Sequence, residues 1–217
     1  MIAAGIEPHV SVATNMLALV FLSVGGSLSF KGKGVIVGRV LPLGVTLTAV
    51  GSALGALLLL DIPGRILQLV IGTAMILVAV FSFVRRDSDA DRHLVSGARR
   101  MTGYALTFAL AVYGGVFSGG YVTMLTAVFV FCFGLSFVQS VATTKVINGV
   151  SSVIAVAIFA RRALVDYRLG IILGLAMLVG AVIGGKVALH LPPVWLRRIF
   201  LVAVIALAAM MFSRVFR

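Results

Sequence analysis

The chain has 217 residues, of which 61% are hydrophobic and only 11% are charged. Soluble domains carry roughly 25% charged residues, and a fold of this size cannot hide so much apolar surface from water. Soluble globular and disordered proteins are therefore excluded. The net charge of +12 comes mainly from basic residues between apolar runs, where they are expected to face lipid headgroups. Nucleic-acid binding is not expected, because no basic stripe alternates with aromatic residues.

Apolar runs of about 20 residues, the length that crosses a bilayer, follow one another along the chain. In the first half they cover residues 10–30, 40–60 and 66–84. A polar stretch at 85–100 then separates the halves. The second half contains apolar runs at 101–134, 139–160, 169–189 and 196–212. The pattern predicts an all-α polytopic membrane protein with about seven spans.

The run at 101–134 is too long for one straight span, because its 34 residues would extend about 51 Å as a helix. Gly114-Gly115 and Gly119-Gly120 interrupt it, so we predict two half-helices around a glycine-rich break. The Lys and Arg count favours a single crossing, which places the basic loops 31–39, 85–100 and 161–168 together on the cytoplasmic side. A re-entrant pair of half-helices would instead put the loop at 161–168 on the opposite side.

The two halves align without a gap at an offset of 129 residues. Identical residues fall at paired positions that include Thr14 and Thr143, Gly51 and Gly180, Gly55 and Gly184, and Pro63 and Pro192. A duplicated unit is therefore predicted, as in many secondary transporters. We expect a first repeat at 1–86, a cytoplasmic linker at 87–100 and a second repeat at 101–217.

The same alignment places Met1 opposite Val130. The first repeat therefore has no counterpart of residues 101–129, which contain the predicted broken helix. Two interpretations stay open. Either the repeats are genuinely asymmetric, or the chain is short at its N-terminus and lacks one half of a substrate site, which would impair transport.

The order and spacing of several motifs resemble the TauE/SafE sulfite-exporter family, also called the 4-toluenesulfonate uptake permease family. The matching segments are the glycine-rich 114–120, the Ala-Thr-Thr-Lys-Val-Ile-Asn run at 142–148, the Val-Asp-Tyr-Arg run at 165–168 and the glycine-rich 180–186. The chain departs from the pattern in lacking the first broken helix and a proline after Gly120. The resemblance implies a permease for small sulfur-containing or related organic anions, such as sulfite or sulfonates.

Lys145 is the most informative single residue. A charged lysine within hydrocarbon costs about 2.5–3.5 kcal/mol, so it needs an anion, a water-filled cavity or a path to the headgroups. Helical spacing puts Val141, Lys145, Asn148 and Ser152 on one face, with Thr144 adjacent. These side chains are predicted to line one wall of an anion site. The alternative is that Lys145 only extends to the membrane surface.

The glycine-rich break supplies a second predicted element of the site. A half-helix that begins near Gly119-Gly120 exposes unpaired N–H groups and a positive dipole end, which bind anions without a formal charge. The alternative is that the glycines only permit close helix packing. The predicted substrate-binding residues are Lys145, Asn148, Thr144, Thr143, Ser152, Gly119, Gly120, Ser118, Thr14 and Asn15.

These features together predict a multi-pass secondary transporter of the bacterial inner membrane that works by alternating access between its repeats. The expected partners are a small anionic solute and membrane lipids, and a homo-oligomer is left open. No carboxylate lies in the middle of a span, so an enzyme is not expected, and neither is a metal or other cofactor. A non-transporting membrane scaffold or subunit, or an anion channel, is the alternative.

Overall fold

A computed structural model of the chain describes residues 5–64, 66–67 and 96–191, together with Trp195 and Val202. Over these residues the chain is all-α, and its helices are α1 (Pro8–Phe30), α2 (Leu41–Asp61), α3 (Gly97–Val116), α4 (Tyr121–Phe133), α5 (Phe137–Arg161) and α6 (Tyr167–His190). Helices α1, α2, α5 and α6 are each long and apolar enough to cross a membrane. The predicted all-α polytopic architecture is confirmed.

The predicted spans at 10–30, 40–60, 139–160 and 169–189 match α1, α2, α5 and α6 to within two residues at each end. The predicted spans at 66–84 and 196–212 lie outside the described residues, apart from isolated positions. The described part of the chain therefore contains four spans and one broken segment, which is fewer than the seven expected.

Side chains next to each helix explain where the helices begin. Glu7 accepts the backbone N–H groups of His9 and Val10, and Pro8 occupies the first position of α1, where a missing N–H costs least. Partial burial disfavours the charged form of Glu7, but hydrogen bonds from His9 and Val10 outweigh it and lower the pKa of this carboxyl group. Ser136 caps α5 in the same way.

The glycine-rich segment forms a helical hairpin. Near the tip, Gly114 lies against the ring of Tyr121, and farther away Gly103 lies against Cys132 and Phe133. Because residues of α3 and α4 pair in opposite order along the chain, α4 runs back beside α3. The break was predicted correctly, but the single crossing that the Lys and Arg count favoured is wrong. Packing between the half-helices, which a charge count does not sense, decides the path of the chain.

The hairpin also corrects the predicted positions of the basic loops. We call one end of the bundle the Pro8 end and the other the Phe30 end. Helix α5 runs antiparallel to α1, so the loop at 161–166 lies at the Pro8 end, whereas the loop at 31–39 lies at the Phe30 end. Arg161, Arg162 and Arg168 therefore lie on the opposite side from Lys31 and Lys33, which had been grouped with them.

The described helices carry the internal repeat. Helices α1 and α5 occupy equivalent positions at the offset of 129 residues and cross in opposite directions, since Gly26 lies against Lys145 and Ser23 bonds to Asn148. Helix α1 then packs in parallel beside α6, and α5 packs beside α2. Equivalent helices that run in opposite directions define an inverted repeat.

A pair of matching hydrogen bonds fastens the repeats to each other. The Thr14 hydroxyl accepts the backbone N–H of Asp166 at 3.0 Å, and the Thr143 hydroxyl accepts the backbone N–H of Val37 at 3.1 Å. Both the threonines and their partners are 129 residues apart. Each repeat therefore holds the loop of the other, at opposite ends of the bundle. The exact repeat boundaries at 1–86 and 101–217 stay a prediction.

The glycines at equivalent positions of α2 and α6 have different surroundings. A Cβ atom added at Gly55 would overlap the carbonyl oxygen of Val112 on α3, and one at Gly51 would lie 2.8 Å from the Cβ of Ala111. Gly180 and Gly184 are exposed, and no described atom lies within 4 Å of an added Cβ there. The glycines of α2 therefore allow the backbone of α3, the first helix of the hairpin, to pack closely against α2.

Candidate functional site

Helix α5 has an unusually polar buried surface for a membrane span. Six of its polar side chains are each at most 2% exposed: Ser140, Thr143, Thr144, Asn148, Ser151 and Ser152. A polar group in hydrocarbon needs a partner from its own helix or a neighbour. These residues lie where α5 meets α1, α2 and α4, so polar groups occupy these helix contacts inside the bundle, beside its buried apolar clusters.

Lys145 lies on the edge of this polar surface. Its side chain is partly buried, and its methylene groups run over Gly26, 3.1 Å from where a Cβ would stand. It lines an open groove of about 470 Å³ between α1 and α5, together with Ser23 and Ser27 and otherwise mainly with apolar side chains. Among the described residues, no carboxylate lines that groove and none bonds to the ammonium group.

The repeat explains how Lys145 is accommodated. Its equivalent in the first half is Met16, and the equivalent of Gly26 is Ala155. Met16 and Ala155 belong to one buried apolar cluster. The symmetry therefore relates the pair Met16 and Ala155 to the pair Lys145 and Gly26. The missing methyl group at Gly26 makes room for the stem of the lysine.

Asn148 does not face the groove as the helical spacing predicted. Its amide nitrogen donates to the Ser23 hydroxyl at 2.7 Å, and its side chain is 1% exposed. Ser23 itself lines the groove. The Asn148–Ser23 pair therefore lies beneath the groove as its polar floor, one helical turn from Lys145.

The glycine-rich break lies elsewhere in the bundle. Gly120 adopts a left-handed conformation at φ 76° and immediately precedes α4. The Gly119 carbonyl accepts the Tyr113 hydroxyl at 2.5 Å, and the Asn15 amide donates to the Ser118 hydroxyl at 3.1 Å. Helix α1 therefore contacts the break through Asn15.

The predicted residues fall into two groups rather than one site. Asn15 meets the break, whereas Gly26, eleven positions later, meets Lys145, and this separation spans about 16.5 Å along α1. Thr14 and Thr143 fasten loops, Thr144 bonds within its helix and to Thr126, and Ser152 is buried. Whether any of these residues binds a substrate stays a prediction.

Comparison with known proteins decides the family. The model of the family described as "Sulfite exporter TauE/SafE" matches residues 1–211. The chain belongs to the TauE/SafE family. No solved structure matches it.

Two relatives of this TauE/SafE chain carry the names of transporters. A "Probable membrane transporter protein ORF9" of Sinorhizobium sp is 29% identical over 214 residues, covering 96% of this chain and 80% of the relative. A "Probable membrane transporter protein YfcA" of Escherichia coli K12 is 26% identical over 196 residues, covering 87% and 70%. Family and relatives together support a multi-pass membrane transporter.

Sequence reasoning missed part of the polar interior of this TauE/SafE protein. The Ser52 and Ser151 hydroxyls lie 2.7 Å apart, and Thr48 and Tyr121 are wholly buried nearby on α2 and α4. Thr48 and Ser52 stand four residues apart in a largely apolar helix. That spacing was the available signal, because it places two hydroxyls on one face.

Proposed function

We propose that this protein is a secondary transporter of small sulfur-containing anions, such as sulfite or a sulfonate, in the bacterial inner membrane. The TauE/SafE family match supports the substrate class, and the species of the relatives support the location. Lys145 supports recognition of an anion. It is a lysine within a span, and no described residue offers it a counter-charge.

An anion at Lys145 would offset the cost of holding an ammonium group in the bilayer. Two opposite unit charges 4 Å apart attract by about 4 kcal/mol at an effective dielectric constant of 20, which is comparable to the insertion cost of about 2.5–3.5 kcal/mol. Ser23 and Ser27 add hydroxyl donors along the same groove. A singly charged oxyanion fits these groups better than a cation or a neutral solute.

The inverted repeat supports alternating access as the mechanism. In transporters with this symmetry, one repeat rocks against the other around a site at their interface. Here α1 and α5 are the equivalent helices that cross at the groove, and Lys145 contacts Gly26 across that crossing. Rocking of α1 against α5 would open the groove to alternate sides.

The test is uptake of radiolabelled sulfite and of a sulfonate by purified protein in liposomes. We expect saturable uptake that Lys145→Met abolishes, while Lys186→Met retains it. Methionine is the residue at the equivalent position 16, and exposed Lys186, near the end of α6, controls for the loss of a positive charge. Both variants should elute as monodisperse protein in detergent.

Three outcomes would contradict the proposal. Unchanged uptake by Lys145→Met would remove the lysine from the mechanism. Flux proportional to concentration without saturation would indicate an anion channel. No uptake and no thermal stabilisation of the wild type by any sulfur anion would indicate a non-transporting subunit, since a ligand that binds the folded state must stabilise it.

A further inference from the structure

Three buried hydroxyl groups among the described residues lack ordinary hydrogen bonds, those of Thr48, Tyr121 and Ser140, and the first two lie together. Thr48 on α2 and Tyr121 on α4 are each 0% exposed, and their hydroxyls face each other. Neither hydroxyl makes a hydrogen bond of normal geometry with any described residue. Buried hydroxyls are normally paired, and an unpaired one in a low-dielectric interior is costly.

Other threonines of α2, α3 and α4 contrast with Thr48. The hydroxyls of Thr46, Thr107 and Thr126 each donate to a backbone carbonyl four residues earlier, at distances of 2.7–2.9 Å. This local bond is the usual way in which a helix satisfies a threonine. Thr48 lacks it, and the group that its hydroxyl faces is the hydroxyl of Tyr121.

Further polar groups connect the Thr48 and Tyr121 hydroxyls to the Lys145 groove. Ser52 lies one turn from Thr48 on α2, and its hydroxyl bonds to that of Ser151 on α5 at 2.7 Å. Asn148 follows one turn along α5 and bonds to Ser23, which lines the groove. Hydroxyl and amide groups therefore extend from α4 across α2 and α5 to α1.

We propose that the Thr48 and Tyr121 hydroxyls form an inner binding site for the oxygen atoms of a small oxyanion, on the same path as Lys145. The proposal rests on the transport function proposed above. Each hydroxyl supplies one donor, and a sulfite or sulfonate group presents several acceptor oxygens. Neutral donors hold such an anion less tightly than an ammonium group does, which suits a site that the solute must also leave.

The test uses substitutions that remove a hydroxyl while nearly preserving shape, Thr48→Val and Tyr121→Phe. Thr107→Val is the matched control, because Thr107 is equally buried but has its local bond. The measurements are KM for sulfite uptake in liposomes, and the melting temperature in detergent with and without sulfite.

We expect the two test variants to raise KM about tenfold, the loss of roughly one hydrogen bond to the anion. Sulfite should stabilise them less than it stabilises the wild type. Without sulfite they should melt at or above the wild-type temperature, because an unpaired buried hydroxyl has been removed. Thr107→Val should leave KM unchanged and lower the melting temperature, because its carbonyl partner loses a bond.

The opposite pattern would overturn the inner site. If Thr48→Val and Tyr121→Phe lower the melting temperature and leave KM unchanged, the hydroxyls serve the fold, through each other or a trapped water. This failure is distinguishable from failure of the proposed function, which would appear as absent uptake in the wild type. Equal stabilisation by sulfite of the wild type and both variants would likewise refute the site.

Discussion

The glycines of α2 and α6 offer a matched test of how the hairpin is held. Gly55→Ala places a methyl group into the carbonyl of Val112, a backbone atom that a side-chain rotation cannot move away. Gly184→Ala makes the same chemical change at the equivalent position of the other repeat, where no described atom lies within 4 Å. Only the surroundings differ.

The expected difference follows from two opposing effects. Alanine is favoured over glycine within a helix by about 1 kcal/mol, and this gain applies to both variants. Overpacking costs about 1–3 kcal/mol and applies only at Gly55. Because the helix term cancels, Gly55→Ala should be about 1–3 kcal/mol less stable than Gly184→Ala. For a chain of this length, each kcal/mol corresponds to about 2–4 °C in melting temperature.

The assay heats purified protein in detergent and measures the fraction that still elutes as a monodisperse peak. Gly184→Ala should melt at or slightly above the wild-type temperature, and Gly55→Ala clearly below it. Gly115→Ala, which approaches the same interface from α3 and would overlap the carbonyl of Ser52, should behave like Gly55→Ala. Equal melting temperatures for Gly55→Ala and Gly184→Ala would refute the close packing of α3 on α2.

Two further predictions concern the groove and the topology. Gly26→Ala should displace the Lys145 stem and reduce sulfite uptake without loss of folded protein. Because Gly26→Ala and Lys145→Met both act through the side chain at position 145, the double variant should lose no more uptake than Lys145→Met alone. In a Cys132→Ala background, cysteines introduced at Lys33 and at Arg162 should react with a membrane-impermeant thiol reagent from opposite sides, and labelling of both from one side would contradict the hairpin.

The spans were predictable from sequence because their signals are local. Residues 10–30 form a mainly apolar run without a charged residue, which ends before Lys31, and α1 matches it. The break at 117–120 was likewise visible, because paired glycines interrupt an apolar run. The hairpin could not be predicted from the sequence, because it depends on contacts such as that of Gly103 with Phe133, thirty residues away in sequence.

The candidate site was predictable by residue type but not by location. Lys145 was identified because any lysine in a span is exceptional. For Asn148, helical spacing gives the face on which the residue lies but not the neighbour that the face meets. That neighbour is Ser23, which lies 125 residues earlier in the chain. Thr48 and Tyr121 were missed because only the folded bundle brings them together.

The exchange of loops between repeats has a consequence for synthesis of the protein. Helix α1 makes its most extensive contacts with α6, which leaves the ribosome more than a hundred residues later. During that interval α1 must remain in the bilayer through its own hydropathy, with the groups that later meet α6 facing lipid or the insertion machinery. Neither half can complete its own packing alone, so the nascent chain reaches its final arrangement only when its last described helix has been inserted.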